Sequence, residues 1–215
     1  MAFRAVIWDF GGVITSSPFD AFNAYEAAHG LPHNTIRGIN AINPDSNAWA
    51  RLERSEIDGV GFDALFAAEA AALGHDIRGS AVLALLSGQV RPRMVAALDA
   101  CRAAGLQLGC ITNNAPVGQG AGMALDRETS DKVSAILARF DHVIESSKAG
   151  VRKPDPRIYA MMTEALAVAP EACIYLDDLG INCKPAAAMG MAAIKVNGEA
   201  QALDELGRLL GMNFA

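Results

Sequence analysis

The sequence predicts an α/β protein: a doubly wound parallel sheet with a helical module inserted after its first strand. Three observations carry this. A short apolar run, Phe3 to Trp8, reads as a buried strand that delivers a carboxylate, Asp9, to its C-terminal end and then turns on Gly11-Gly12. From Arg91 onward, strand-length apolar segments alternate with segments of helical period, the pattern of a parallel sheet with crossover helices. Between these regions lie about seventy residues of helical character with few strand features. Residues 1–15 and 89–215 then form the core, and residues 16–88 form a helical cap domain over the crevice at the strand ends.

Each element has a local reason. Ser17-Pro18-Phe19-Asp20 has the form of a helix start, and Phe19, Phe22 and Ala27 define its apolar face. Trp49 and Leu52 mark a second cap helix. Asp58 opens a third, running through Leu65, Phe66 and Leu73, and Ala81 to Leu86 belongs to a last one. In the core, Pro92 suits the first turn of a helix whose inner face carries Met94, Leu98 and Cys101 and which Gly105 closes. Leu106 to Ile111 is a strand that ends in Thr112-Asn113-Asn114, and the glycine-rich Pro116–Gly122 stretch fits no phosphate-binding motif and reads as a connection. Asp126 to Phe140 is helical and His142 to Glu145 is a strand. A helix with Ile158, Met161, Met162, Ala165 and Leu166 on its core face follows. Strands Cys173–Leu176 and Ala192–Val196 alternate with helices Ile181–Met189 and Glu199–Leu210.

Bulk properties narrow the function. At 215 residues the chain is long enough for one sizeable domain with an insertion. A net charge of -6 without a basic cluster argues against a nucleic-acid groove or an anionic membrane surface as partner. The N-terminal apolar run is broken by Arg4 and Asp9, unlike a signal peptide, and no stretch has the length and apolarity of a membrane span. Cys101, Cys110, Cys173 and Cys183 lack metal-type spacing and lie in core-like segments, so reduced thiols and a cytoplasmic location are expected. His29, His33 and His75 have no His or Cys partner at ligand spacing and read as surface or satisfied residues rather than ligands.

Polar residues collect at the strand ends: Asp9, Thr112-Asn113 and Asp177-Asp178, with Lys153 in the loop after a further strand. In a parallel sheet these ends share one edge. Three crowded carboxylates repel, and a divalent cation relieves the repulsion; an all-oxygen donor set favours Mg²⁺ over zinc. Such an ion, a lysine and backbone N–H groups would neutralise an incoming phosphoryl group, leaving Asp9 to attack phosphorus.

The segments Asp9-Phe-Gly-Gly-Val, Ile111-Thr112-Asn113, Lys153-Pro154-Asp155-Pro156 and Leu176-Asp177-Asp178 resemble, in order and spacing, the four motifs of the haloacid dehalogenase-like hydrolase superfamily. The likeness covers essentially the whole chain, and the helical insert resembles the small cap of the subgroup that holds many sugar-phosphate phosphatases. Lys153-Pro-Asp-Pro-Arg-Ile-Tyr and Leu176-Asp-Asp-Leu-Gly-Ile-Asn182 look most like the phosphatase-like domain fused to some acyl-CoA dehydrogenases and the phosphatase domain of soluble epoxide hydrolases.

The resemblance implies a Rossmann-like core and a set of roles. Asp9 would be the nucleophile and a Mg²⁺ ligand, and Gly11 would offer its carbonyl to the metal. Thr112 and the Asn113 amide would hold phosphoryl oxygens, and Lys153 would neutralise nucleophile and phosphate. Asp178 would bind Mg²⁺ with Asp177 beside it, and Asn182 would orient the metal shell. The partner would be a small phosphorylated metabolite, and the chain a monomer or homodimer.

The chain departs from this pattern at Gly11, where most phosphatases of the superfamily carry a second Asp that protonates the leaving group. Three readings stay open. The chain is a phosphatase whose leaving group needs little protonation, or whose cap supplies the acid; it is a 2-haloacid dehalogenase, although the Asp177-Asp178 pair would then lack a use; or it is a non-catalytic phosphate-binding domain. Trp49 and Arg51 are candidate substrate-facing residues, and Gly11-Gly12 and Gly88–Arg91 are candidate hinges.

Overall fold

The computed structural model describes residues 2–115, 118, 123 and 126–214. The predicted Pro116–Gly122 connection, apart from Gly118, lies outside the described residues. Strand β1 (Ala5–Trp8) is followed by the inserted helices of the expected cap, α1 (Pro18–Ala28), α2 (Thr35–Ala41), α3 (Ala48–Glu53), α4 (Gly59–Ala72) and α5 (Gly79–Leu83). The core continues with α6 (Pro92–Ala103), β2 (Gln107–Thr112), α7 (Arg127–Leu137), β3 (His142–Glu145), α8 (Ser146–Ala149) and α9 (Pro156–Leu166). A short 3₁₀ turn leads to β4 (Cys173–Asp177), α10 (Gly180–Ala188), β5 (Ala192–Lys195) and α11 (Glu199–Leu210).

The five strands form one parallel sheet in the order β3-β2-β1-β4-β5, the doubly wound arrangement expected. β1 lies at its centre, with Trp8 opposite Cys110 of β2 and Leu176 of β4. The chain steps outward from β1 through β2 to β3 and then returns to the other side of β1. The ends of β1 and β4 therefore flank the reversal point, where sheets of this type bind ligands. Alternation along β1 supplies both faces of the core. Val6 and Trp8 pack with Met94, Leu98, Leu203 and Leu206, while Ala5 and Ile7 pack with Ile158, Met162 and Tyr175. A third cluster, including Phe22, Ile36, Leu52, Phe62 and Phe66, forms the interior of the cap.

The two chain segments joining core and cap lie against each other. Thr15 and Val90 form an antiparallel bridge, Ser16 N–H donates to Gln89 O (2.7 Å), and Arg91 N–H donates to Ile14 O (2.9 Å). The Arg91 guanidinium also donates to Gly12 O (2.7 Å), tying the second candidate hinge to the first. A Cβ on Gly88 would meet Ser16 O and Thr15 Oγ1 at 2.8 Å, so a glycine is needed where the segments cross.

Two helix faces differ from the expectation. Ala27 of α1 points outward and Glu26 is buried, because the Glu26 carboxylate accepts from Asn34 N–H (2.7 Å) and Ile36 N–H (2.8 Å) at the start of α2. On α9, Met161 is 40% exposed and Ala165 faces outward, while Tyr159 is fully buried. Its ring packs edge-on against Tyr175 and its hydroxyl donates to Asn182 O (2.8 Å). Helices α2 and α8 had no clear pattern in the sequence. All four cysteines are free and buried, and burial pushes the thiols up, Cys173 to about 11 and Cys101 to about 12, which leaves them inert at neutral pH. Among the described residues no helix is long and apolar enough to cross a membrane.

The Glu26 reversal makes a prediction. Glu26→Ala leaves two N–H groups bare and is expected to destabilise the fold by about 1–3 kcal/mol for each. Ala27→Glu on the outer face should change stability by less than about 0.5 kcal/mol. Urea unfolding of both variants checks the assignment, and the opposite ranking would restore the apolar face read from the sequence.

Candidate active site

The end of β1 places Asp9 in a buried position, and the site is built outward from its carboxylate. Asp9 Oδ1 accepts from Phe10 N–H (2.7 Å) and lies 2.7 Å from the Lys153 ammonium. Lys153 is 1% exposed, and its three N–H groups have three acceptors: Asp9 Oδ1, Asp177 Oδ2 (2.9 Å) and Ile111 O (2.9 Å). One ammonium thus joins the ends of β1, β2 and β4. Its backbone is held by Asn113, whose side chain accepts from Lys153 N–H (2.9 Å) and donates to Lys153 O (3.0 Å).

Asp177 is fully buried and heavily bonded. It accepts from Lys153, Tyr175 OH (2.5 Å), Leu179 N–H (2.8 Å) and Asn182 Nδ2 (3.0 and 3.1 Å). These donors occupy the lone pairs of both oxygens, so in this arrangement Asp177 supports Lys153 and the start of α10. Asn182, expected to orient the metal shell, acts on Asp177. Asp178 is less committed: it accepts from Ser17 Oγ (3.0 Å) of the cap linker and lies over Gly12. Gly12 has φ +78°, and a Cβ there would come within 2.2 Å of the Asp178 carboxylate. The second glycine of the pair therefore makes room for Asp178. Gly11 is different: a Cβ there meets nothing within 4 Å.

Carboxylate oxygens of Asp9, Asp177 and Asp178 lie within 4.8 Å of one another. Burial pushes Asp9 well above the usual carboxylate range; Lys153 counters this, while Asp177 and Asp178 add to it. Asp178 is raised by burial and then by Asp177. Burial alone would lower Lys153, but Asp177 and Asp9 outweigh it and hold the ammonium charged. One cation therefore faces three carboxylates, and the cluster lacks positive charge. A hard divalent cation with oxygen ligands, Mg²⁺, fits this need, and Asp9 and Asp178 are the carboxylates best placed to hold it.

Thr112 ends β2 and is 6% exposed beside Asn113, so the predicted phosphate residues and the acidic cluster share one edge. Asn114 anchors the same loop, donating to Glu145 (2.9 Å) and accepting from Ser147 Oγ (2.8 Å). The candidate substrate-facing residues are otherwise engaged. Trp49 packs on Phe22 and Phe62 and donates its indole N–H to Glu53 Oε1 (2.9 Å), and Arg51 lies 3.7 Å from Glu56.

Sequence reading missed Ser17, Tyr175, Arg152 and Glu53. Glu53 sits on the buried stripe of α3, four residues after Trp49, where a carboxylate stands out among apolar neighbours. It pairs with Arg152 at 2.6 Å and lies 3.4 Å from Asn113 Nδ2. Ser17 had no such sign, because its partner Asp178 is distant in sequence, and Tyr175, whose hydroxyl meets Asp177 of the same strand, reads as an ordinary core residue.

A buried carboxylate at the centre of a parallel sheet, a lysine shared between two aspartates and a third aspartate beside them thus stand together at the strand ends. The chain matches the family model "haloacid dehalogenase-like hydrolase" over residues 3–190 and belongs to that family. It is 36% identical over 98% of its length to acyl-CoA dehydrogenase family member 10 of Mus musculus, of which it spans only 19%. It is 30% identical over 95% of its length to Phosphatase MT3486 of Mycobacterium tuberculosis, of which it spans 92%. A HAD family enzyme of Bacteroides thetaiotaomicron, solved in complex with magnesium and inorganic phosphate, shares the fold at a TM-score of 0.60 and 16% identity, over 92% of this chain and 96% of that one.

Gly12→Ala tests the support of Asp178. Left-handed backbone costs a non-glycine residue about 1–2 kcal/mol, and the methyl group must also displace the carboxylate. The expected result is a lowered melting temperature together with weakened Mg²⁺ binding by calorimetry; unchanged Mg²⁺ affinity would remove Asp178 from the metal site.

Proposed function

We propose that the chain is a Mg²⁺-dependent phosphatase that hydrolyses a small phosphomonoester through an aspartyl-phosphate on Asp9. The observation that carries this is the state of Asp9: Oδ1 is pinned by Phe10 N–H and Lys153, which leaves Oδ2 as the less committed oxygen. In the first step Asp9 attacks phosphorus and the bond to the leaving oxygen breaks; in the second, water attacks the same phosphorus and Asp9 is released. Mg²⁺ held by Asp9, Asp178 and the Gly11 carbonyl would supply charge stabilisation for the phosphoryl oxygens. Thr112 OH and the Asn113 backbone N–H are the phosphoryl donors, because the Asn113 side chain is spent on Lys153. Lys153 has all three N–H groups in use, so it reaches an incoming phosphoryl oxygen only by giving up one of its present partners.

The acidic cluster favours this reading over carbon–halogen cleavage, which has no use for a carboxylate set that calls for a cation. The likeness to Phosphatase MT3486, nearly end to end, points the same way. A small sugar phosphate is a suitable substrate class, and a cytoplasmic location fits the four free thiols.

Hydrolysis of para-nitrophenyl phosphate with Mg²⁺ or EDTA, by wild type and Asp9→Asn, tests the proposal. Turnover should require Mg²⁺ and fall by more than about 10³-fold in the variant, about 4 kcal/mol of barrier. Activity retained by Asp9→Asn would overturn the mechanism. Absence of turnover with Mg²⁺ still bound would favour a phosphate-binding domain.

A further inference from the structure

The chemistry proposed above leaves one requirement unmet. An alkoxide leaving group needs a proton, and Gly11, two residues past Asp9, has no side chain to give one. In-line displacement fixes where a substitute must stand. The attacking oxygen comes from the core side of phosphorus, so the leaving oxygen departs on the opposite side, toward the cap. The cap reaches the strand ends with few groups. Ser17 bonds Asp178, and Ser55 Oγ donates to Ser147 O (2.8 Å). Among the described residues, the acidic cap side chain that bonds the strand-end motifs is Glu53, against Asn113.

Resting on the phosphatase reading, we infer that Glu53 is the acid–base residue of this enzyme, carried by the cap. In the first step the Glu53 carboxyl gives its proton to the leaving oxygen as the P–O bond breaks and Asp9 becomes phosphorylated. In the second, the Glu53 carboxylate takes a proton from the attacking water as the bond from phosphorus to Asp9 breaks. The products are an alcohol, inorganic phosphate and the starting Asp9 and Glu53, so protons and bonds balance over the cycle.

The surroundings of Glu53 suit the task. The residue is 6% exposed, and Trp49 holds Oε1 while Arg152 and Asn113 meet Oε2. Burial raises its pKa; Arg152, Trp49 and, more weakly, Lys153 oppose the rise without cancelling it. A raised pKa favours a carboxyl that gives up a proton in one step and takes one back in the next. Arg152 is anchored to the cap by its bond to Pro44 O (2.8 Å), so Glu53 stays aligned with the core only while the cap is seated. Proton delivery is thereby tied to closure over the substrate.

The test compares leaving groups. kcat/KM is measured across pH for wild type, Glu53→Gln and Glu53→Asp, with para-nitrophenyl phosphate and with benzyl phosphate. The nitrophenolate leaves without help; the benzyl alkoxide does not. Glu53→Gln is expected to lower kcat/KM for benzyl phosphate by about 10²–10⁴-fold while changing the nitrophenyl ester about tenfold or less, in line with the usual contribution of general acids. The alkaline limb of the benzyl phosphate profile should disappear with it. The ratio of the two substrates is independent of the fraction of folded enzyme, so partial unfolding cannot imitate the result; Glu53→Ala provides the same ratio should Gln not fold, and Glu53→Asp, which keeps a carboxyl, should recover part of the loss. An equal loss on both substrates, or a wild type that cleaves only the nitrophenyl ester, would overturn the assignment of Glu53 alone. A wild type inactive on both would overturn the phosphatase reading, and this assignment with it.

Discussion

The buried ammonium of Lys153 is the interaction on which the rest of the site depends. It meets two carboxylates and a carbonyl from three neighbouring strands, and no hydrogen of the charged group is left over. Two aspartates this deeply buried would otherwise repel each other and push the strand ends apart. Breaking such a pair by removing one partner costs about 3–5 kcal/mol, because the other charge remains buried and alone. The residues that surround the pair make sense in this light. Asn113 grips the Lys153 backbone from both sides, and Tyr175 and Asn182 fix Asp177. Fold stability and the proposed reactivity therefore rest on the same atoms.

The remaining charge imbalance is what the proposed metal would relieve. Lys153 balances part of the acidic cluster, and the excess falls on Asp9 and Asp178, the groups least occupied by protein donors. Gly12 lets Asp178 approach, and Ser17 brings the cap linker to the same carboxylate. Metal affinity and cap position are thus physically adjacent. On the opposite side, Glu53 and Arg152 join cap to core next to Asn113. Polar contacts between Ser17 and Asp178 and between Glu53 and Asn113 join the inserted helices to the core, and the apolar cluster of those helices includes Ala115 from the core.

Much of this was legible in the sequence, for identifiable reasons. The alternation after Arg91 is strong, and Pro92, Gly105 and Asp126 mark helix ends by local chemistry that tertiary contacts do not override; Asp126, for example, caps α7 by accepting from Thr129 N–H (2.8 Å). The aspartates at the strand ends follow from parallel topology alone. What could not be read were the places where a polar group takes a buried position for the sake of a distant partner. Glu26 displaces Ala27 from the inner face to hold the start of α2, and Tyr159 displaces Met161 because its hydroxyl finds Asn182 O. Periodicity ranks residues by apolarity and cannot foresee such partners. The same blindness applies to Glu53, whose partner Arg152 lies far along the chain.

The crossing of the two cap linkers has a wider consequence. Chain enters and leaves the cap at a single doorway, bridged by Thr15 and Val90 and closed by Arg91 on Gly12. Whatever is inserted there begins and ends at the same point in space, so its length places no demand on the sheet below. Such an insert behaves as a cassette: helices can be added, shortened or replaced while the strand ends keep their register. A lineage built this way can alter what it recognises without rebuilding how it reacts.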